Sequence, residues 1–171
     1  MLYDRQTNVG HIEKKLLFKV DFSQHNFMMI DRIIDVQSDH ISACKRFNDG
    51  AAHLALEACA QLGAFHIRLS MNCSRHVFLM KIKQCEFFSV NHTLSGIYSI
   101  TANLLAKSTD AYSYKIHIKK KDKPCIKGIF IFAVADYDER FQSDILMHYY
   151  QSVCQKLLTK VHPNCPQKII F

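Results

Sequence analysis

The sequence predicts an α+β chain in which a curved antiparallel sheet wraps around one long helix. Three observations predict it. Residues 51–71 form a run that is apolar nearly all round, so as a helix it must be covered on most sides. Four extended segments follow, at 76–88, 93–107, 111–121 and 124–135, rich in the Ile, Val, Phe, Tyr and Thr that suit pleated surfaces. Breaks at Ser108-Thr109-Asp110 and Asp122-Lys123-Pro124 make them an antiparallel meander.

Taken in order, 16–22 suits a first strand or a short helix, its pattern fitting both. The stretch 28–36 is short, Ile-rich and ends at Ser38-Asp39, which reads as a strand with 40–47 as its hairpin partner. Asn48-Asp49-Gly50 reads as a turn and as the N-terminal stop of helix 51–71. In 111–121, Tyr112, Tyr114, Ile116 and Ile118 alternate with Ser113, Lys115, His117 and Lys119, a period of two. The unbroken apolar run 129–134 suits an inner strand. Asp136 to Arg140 closes the sheet, and 141–160 carries an imperfect apolar stripe that reads as a further helix, ended by Pro163 and Pro166. The expected organisation is a lead-in at 1–21, one domain at 22–140, and a C-terminal helix and tail at 141–171.

Composition narrows the function classes. In 171 residues no apolar stretch reaches the roughly 18 that a membrane span needs, and the polar N-terminus lacks a signal-peptide core. Seven cysteines without a Cys-x-x-Cys pair argue against a disulfide framework or zinc ribbon, and for reduced, packed thiols in the cytoplasm. The histidines are scattered without metal-ligand spacing, so neither a metal nor another cofactor is expected. The formal charge of +7, densest around Lys119-Lys120-Lys121, fits a solvated hairpin tip or an acidic partner. Zinc-finger spacing, RNP-type motifs and phosphate-cradling glycine loops are missing, which disfavours nucleic acid.

Glu57 is the residue that stands out. A carboxylate within an apolar helix costs free energy unless it is paired, protonated or used. His53, Glu57 and Gln61 recur every fourth residue and therefore share one helix face. The arrangement offers an acid/base site, with the alternative that Glu57 is simply satisfied by Gln61, His53 or backbone. Cys59 points off that face and reads as core.

Three stretches resemble a known family. His25-Asn26-Phe27-Met28-Met29-Ile30-Asp31-Arg32-Ile33 resembles the opening His-x-x-Pro-Phe-Leu-Leu-Val-Asp-Arg-Val of the beta-hydroxyacyl-acyl-carrier-protein dehydratases. Leu56-Glu57-Ala58-Cys59-Ala60-Gln61 resembles their Glu-Ala-Leu-Ala-Gln helix motif, and Phe78-Leu79-Met80-Lys81-Ile82 through Phe87 resembles the Phe-Leu-x-x-Ile that opens the next strand. These enzymes belong to the hotdog-fold acyl-thioester family. The resemblance spans about 22–137 and lacks the family's Gly-His-Phe-Pro-Gly loop, since Phe47-Asn48-Asp49-Gly50 runs almost straight into the helix.

The resemblance implies a hotdog domain, a homodimer, and processing of an acyl thioester of acyl carrier protein or coenzyme A. Glu57 inherits the family's catalytic position. His53 and His25 are the candidates for a second catalytic group, and Gln61 would orient the acyl group. Backbone N–H groups around Gly50 and Ala51 would polarise the thioester carbonyl. Three activities follow as expectations: a 3-hydroxyacyl dehydratase-like lyase, a hotdog thioesterase, or a non-catalytic hotdog subunit. The missing loop histidine favours the last two, and the flanking motifs favour the first.

Overall fold

A computed structural model of the chain describes residues 27–88 and 93–159. The elements run β1 (Arg32–Val36), β2 (His40–Ala51), α1 (His53–Ser70), β3 (His76–Phe87), β4 (Thr93–Lys107), β5 (Ala111–Lys120), β6 (Lys123–Ala135) and α2 (Ser143–Thr159). The strand expected at 16–22 lies outside the described residues.

The six strands form one antiparallel sheet in the order β1-β2-β4-β5-β6-β3. The period-two pattern places Ile100, Ala102, Ile116, Ile118, Phe130 and Phe132 on one face, all fully buried. α1 packs against that face, along β2 to β6. Its contact residues are small: Ala55, Ala58, Cys59, Gly63 and Ala64 are buried, so the helix axis approaches the sheet closely. At Gly63 a Cβ would fall 2.5 Å from Phe132 Cζ and 3.3 Å from Ile116 Cδ1, so only a bare Cα fits beneath that ring. α2 packs against β1 and α1. Its Tyr150 ring lies 3.8 Å from the buried Arg68 guanidinium of α1, whose Nη2 donates to Val77 O at 2.7 Å.

Three expectations are corrected. The meander holds for β4-β5-β6, but β3 does not neighbour β4. It crosses to the far edge and pairs with β6, Phe87 opposite Ile126 and His76 opposite Ala135. Asn48-Asp49-Gly50 is not a turn. β2 continues to Ala51, with Phe47 opposite Gly96 and Gly50 opposite Leu94, so one extra residue bulges from the strand. Asp49, at φ 54°, supplies the left-handed backbone this needs. The thiols are not uniformly reduced: Cys59, Cys73, Cys85, Cys125 and Cys154 are free, whereas Cys44 is disulfide-bonded. Among the described residues no helix is long and apolar enough to cross a membrane.

Candidate active site on the first helix

Glu57 lies half-buried on the face of α1 that meets the segment leading into β1. Gln61, one turn later, donates from Nε2 to Glu57 Oε1 at 2.9 Å. The same amide group donates to the carbonyl of Phe27 at 2.8 Å, while its Oε1 accepts from the Met29 N–H at 2.9 Å. Gln61 therefore clamps an extended segment against α1 in the manner of a short strand pairing, and fixes one carboxylate oxygen of Glu57. A second clamp lies two residues on. Asp31 accepts from Lys45 Nζ at 2.9 Å and from the Arg46 N–H at 2.7 Å, and Lys45 also reaches Met28 O at 3.2 Å. Met28, Met29, Leu54 and Leu56, all partly buried, supply the apolar surface in this region.

His53 opens α1 and is exposed; among the described residues it makes no hydrogen bond to Glu57. His25 lies outside the described residues. Gly50 and Ala51 belong to the end of β2, paired with Leu94 and Thr93. Ala52 is the N-cap of α1 and no side chain caps the helix, so its first-turn N–H groups keep their positive end free of a side-chain acceptor. Cys59 is fully buried, and burial pushes its thiol well up, which makes it an inert core residue.

The sequence reading missed the polar contact deepest in α1. His66 Nε2 meets the Gln37 carbonyl at 2.7 Å and must donate to it, so Nδ1 is the acceptor for the Tyr114 hydroxyl at 2.8 Å. Burial lowers the His66 pKa, against the opposing pull of the Gln37 carbonyl, and favours the neutral ring. His66 continues no His53-Glu57-Gln61 line, and its partners come from β5 and the β1–β2 turn, so no local spacing points to it.

Comparison with solved structures decides the fold. The chain matches a mutant thioesterase from Pseudomonas aeruginosa at 15% identity and TM-score 0.54, over 61% of this chain and 81% of that one. It matches the dehydratase heterocomplex ApeI:P from Xenorhabdus doucetiae at 12% identity and TM-score 0.56, over 69% and 88%. A third match is a hypothetical thioesterase with coenzyme A from Streptococcus pneumoniae, at 10% identity and TM-score 0.51, over 61% and 85%. The fold is the hotdog fold. Neither a protein-family model nor a curated protein sequence matches the chain. At these identities the likeness is one of architecture alone, and it joins this hotdog chain to structures of both thioesterases and a dehydratase.

Proposed function

We propose that this hotdog protein binds an acyl thioester of coenzyme A or acyl carrier protein and hydrolyses it, with Glu57 as the working carboxylate. The observation that carries the reading is the Gln61 clamp: one oxygen of Glu57 is held at 2.9 Å, which orients the carboxylate and leaves the other oxygen to take a proton. In hydrolysis Glu57 draws a proton from water as the water oxygen attacks the thioester carbonyl. The uncapped N–H groups at the start of α1 stabilise the oxyanion. The intermediate then collapses, the C–S bond breaks, the thiolate takes up the proton, and acid and thiol leave. Hydrolysis needs one carboxylate and an oxyanion site. Dehydration of a 3-hydroxyacyl thioester also needs a base at the α carbon, and His53 makes no bond to Glu57. Dehydration remains the second reading because the motifs around Asp31-Arg32, Glu57 and Phe78-Leu79 resemble the dehydratases.

The edge strand β3 supports a homodimer. It carries exposed Phe78, Leu79, Met80 and Phe87, with exposed Phe88 just past its end, and pairs with β6 on one side only. A second copy laid along it covers both the apolar side chains and the open backbone edge.

The test is intact-mass analysis of saturated and 3-hydroxyacyl thioesters incubated with the protein and with Glu57→Gln. Free thiol released by the native chain and abolished in Glu57→Gln supports hydrolysis. Loss of water instead selects dehydration. Turnover that survives Glu57→Gln refutes the site, and no turnover on any chain length selects the non-catalytic subunit.

A further inference from the structure

The face of the sheet turned away from α1 carries a second constellation, independent of Glu57. Between the buried Ile100, Ala102, Ile116 and Ile118, the alternate residues of β4 and β5 point outward in register: Ser99 opposite Lys119, Thr101 opposite His117, Asn103 opposite Lys115. His117 also lies opposite Lys127 of β6. Ser99, Thr101, Asn103, His117 and Lys119, with Asp122 among the lining residues, form a cleft of about 310 Å³.

Three properties separate this cleft from an ordinary solvated face. Its donors are unspent: among the described residues, no side-chain hydrogen bond or ion pair engages Ser99, Thr101, Asn103, Lys115, Lys119 or Lys127. One ring nitrogen is stranded, since His117 Nε2 is buried and has no hydrogen-bond partner. Leaving a buried polar atom unmade costs on the order of 1–3 kcal/mol, and His117 is one of the residues that line the cleft. Positive charge is also uncompensated. Lys115, Lys119 and Lys127 all disfavour protonation of His117, adding to its burial. The acids nearby are few: Asp122 in the lining, Glu86 opposite Lys127, and Asp35 and Asp39 beyond Asn103, both engaged by His40.

We infer that this cleft binds a phosphate-bearing small molecule, with Ser99, Thr101, Asn103 and His117 as its polar floor and Lys119 as its principal cation. A tetrahedral oxyanion presents several acceptors at once, and donors converging from two adjacent strands match it better than a planar carboxylate. Short hydroxyl and amide side chains in a concave floor fit a compact anion, whereas an acidic protein surface would need only the lysine rim. Because α1 covers the other face, this cleft and Glu57 lie on opposite sides of the sheet.

The experiment is an NMR titration of the full-length protein with inorganic phosphate, pyrophosphate and ADP, at ionic strength held constant with NaCl. Saturable shifts confined to residues 99–103 and 115–119 are expected, with affinity falling at least tenfold in Lys119→Gln and in His117→Gln and unchanged in Lys107→Gln. Both target side chains face outward, and a thermal melt of each variant checks that it folds. Equal affinity for phosphate and ADP identifies a free-phosphate site, while tighter ADP identifies phosphate carried on a larger molecule. Shifts that do not saturate, that chloride reproduces, or that survive both variants overturn the inference. So does binding restricted to a polyacidic peptide.

Discussion

Replacing Gln61 by Leu isolates what the clamp contributes. Three hydrogen bonds go at once: to Glu57, to Phe27 O and from the Met29 N–H. The Phe27 bond is exposed and water replaces it, so it contributes little. The other two are partly buried, and at about 0.5–1.5 kcal/mol net each they predict a loss of about 1–3 kcal/mol. For a chain of this size that corresponds to a melting point lower by about 4–8 °C at the middle of the range. Melting alone would not distinguish the clamp from general damage, so the assay is amide exchange at Met29. Its N–H loses its acceptor in Gln61→Leu and keeps one in Gln61→Glu, where a carboxylate oxygen stands in the same place. Gln61→Glu also sets two carboxylates one turn apart, which repel. In the proposed reaction both changes leave Glu57 present but mispositioned, and kcat should fall about 10- to 100-fold with a smaller change in KM. Equally slow exchange at Met29 in the native chain and Gln61→Leu would refute the clamp.

Other expectations follow from neighbouring contacts. Gly63→Ala drives a methyl into the Phe132 ring, which Tyr114 already backs at 5.8 Å; overpacking of about 1–3 kcal/mol exceeds the roughly 1 kcal/mol gained in helix propensity, so the urea midpoint falls. An unchanged or higher midpoint would mean that Phe132 has room to move. Burial lowers the pKa of both His66 and His76 in the folded chain, so below the ordinary histidine pKa of about 6.5 the unfolded chain binds more protons and these two groups withdraw stability as pH falls. His40 has the opposite sign, because Asp39 and then Asp35 raise its pKa and favour the folded chain in acid. Urea midpoints at pH 5.5 and 7.5 should therefore differ more in His40→Gln than in the native chain, and less in His66→Gln. Tyr150→Ala removes the ring over Arg68, at a cost of about 1–2 kcal/mol, and should speed proteolysis within α2 while leaving β4-β5-β6 protected. Equal cleavage rates would show that other contacts hold α2.

The parts of the fold legible in the sequence are those written in local periodicity. The alternation of Tyr112 to Lys119 gave β5 and its inward face, and the apolar run around Ala55 to Phe65 gave α1. Spacing also placed Glu57 and Gln61 on one helix face, where they bond. It placed His53 there too, yet His53 sits exposed at the helix start without bonding Glu57. What local pattern could not carry is tertiary. Asn48-Asp49-Gly50 has turn-forming residues, and only the partner strand decides that Asp49 serves a bulge instead. The grip of Gln61 on residues 27 and 29 joins positions 34 and 32 apart. The outer cleft exists only once β4 and β5 align Thr101 with His117.

The position of β3 has a consequence for how the chain reaches this fold. β4, β5 and β6 are joined by tight turns and can zip together as each is completed, but β3 must wait. Its partners lie from 39 residues ahead, for Phe87 and Ile126, to 59 ahead, for His76 and Ala135. Closing loops of that length precedes any reward from pairing, which makes docking of β3 a slow, late step. Throughout that interval Phe78, Leu79 and Met80 belong to an unpaired strand with both edges open. The hazard of aggregation is thus greatest between formation of the three-strand meander and capture of β3, and it is set by topology rather than by the final stability of the sheet.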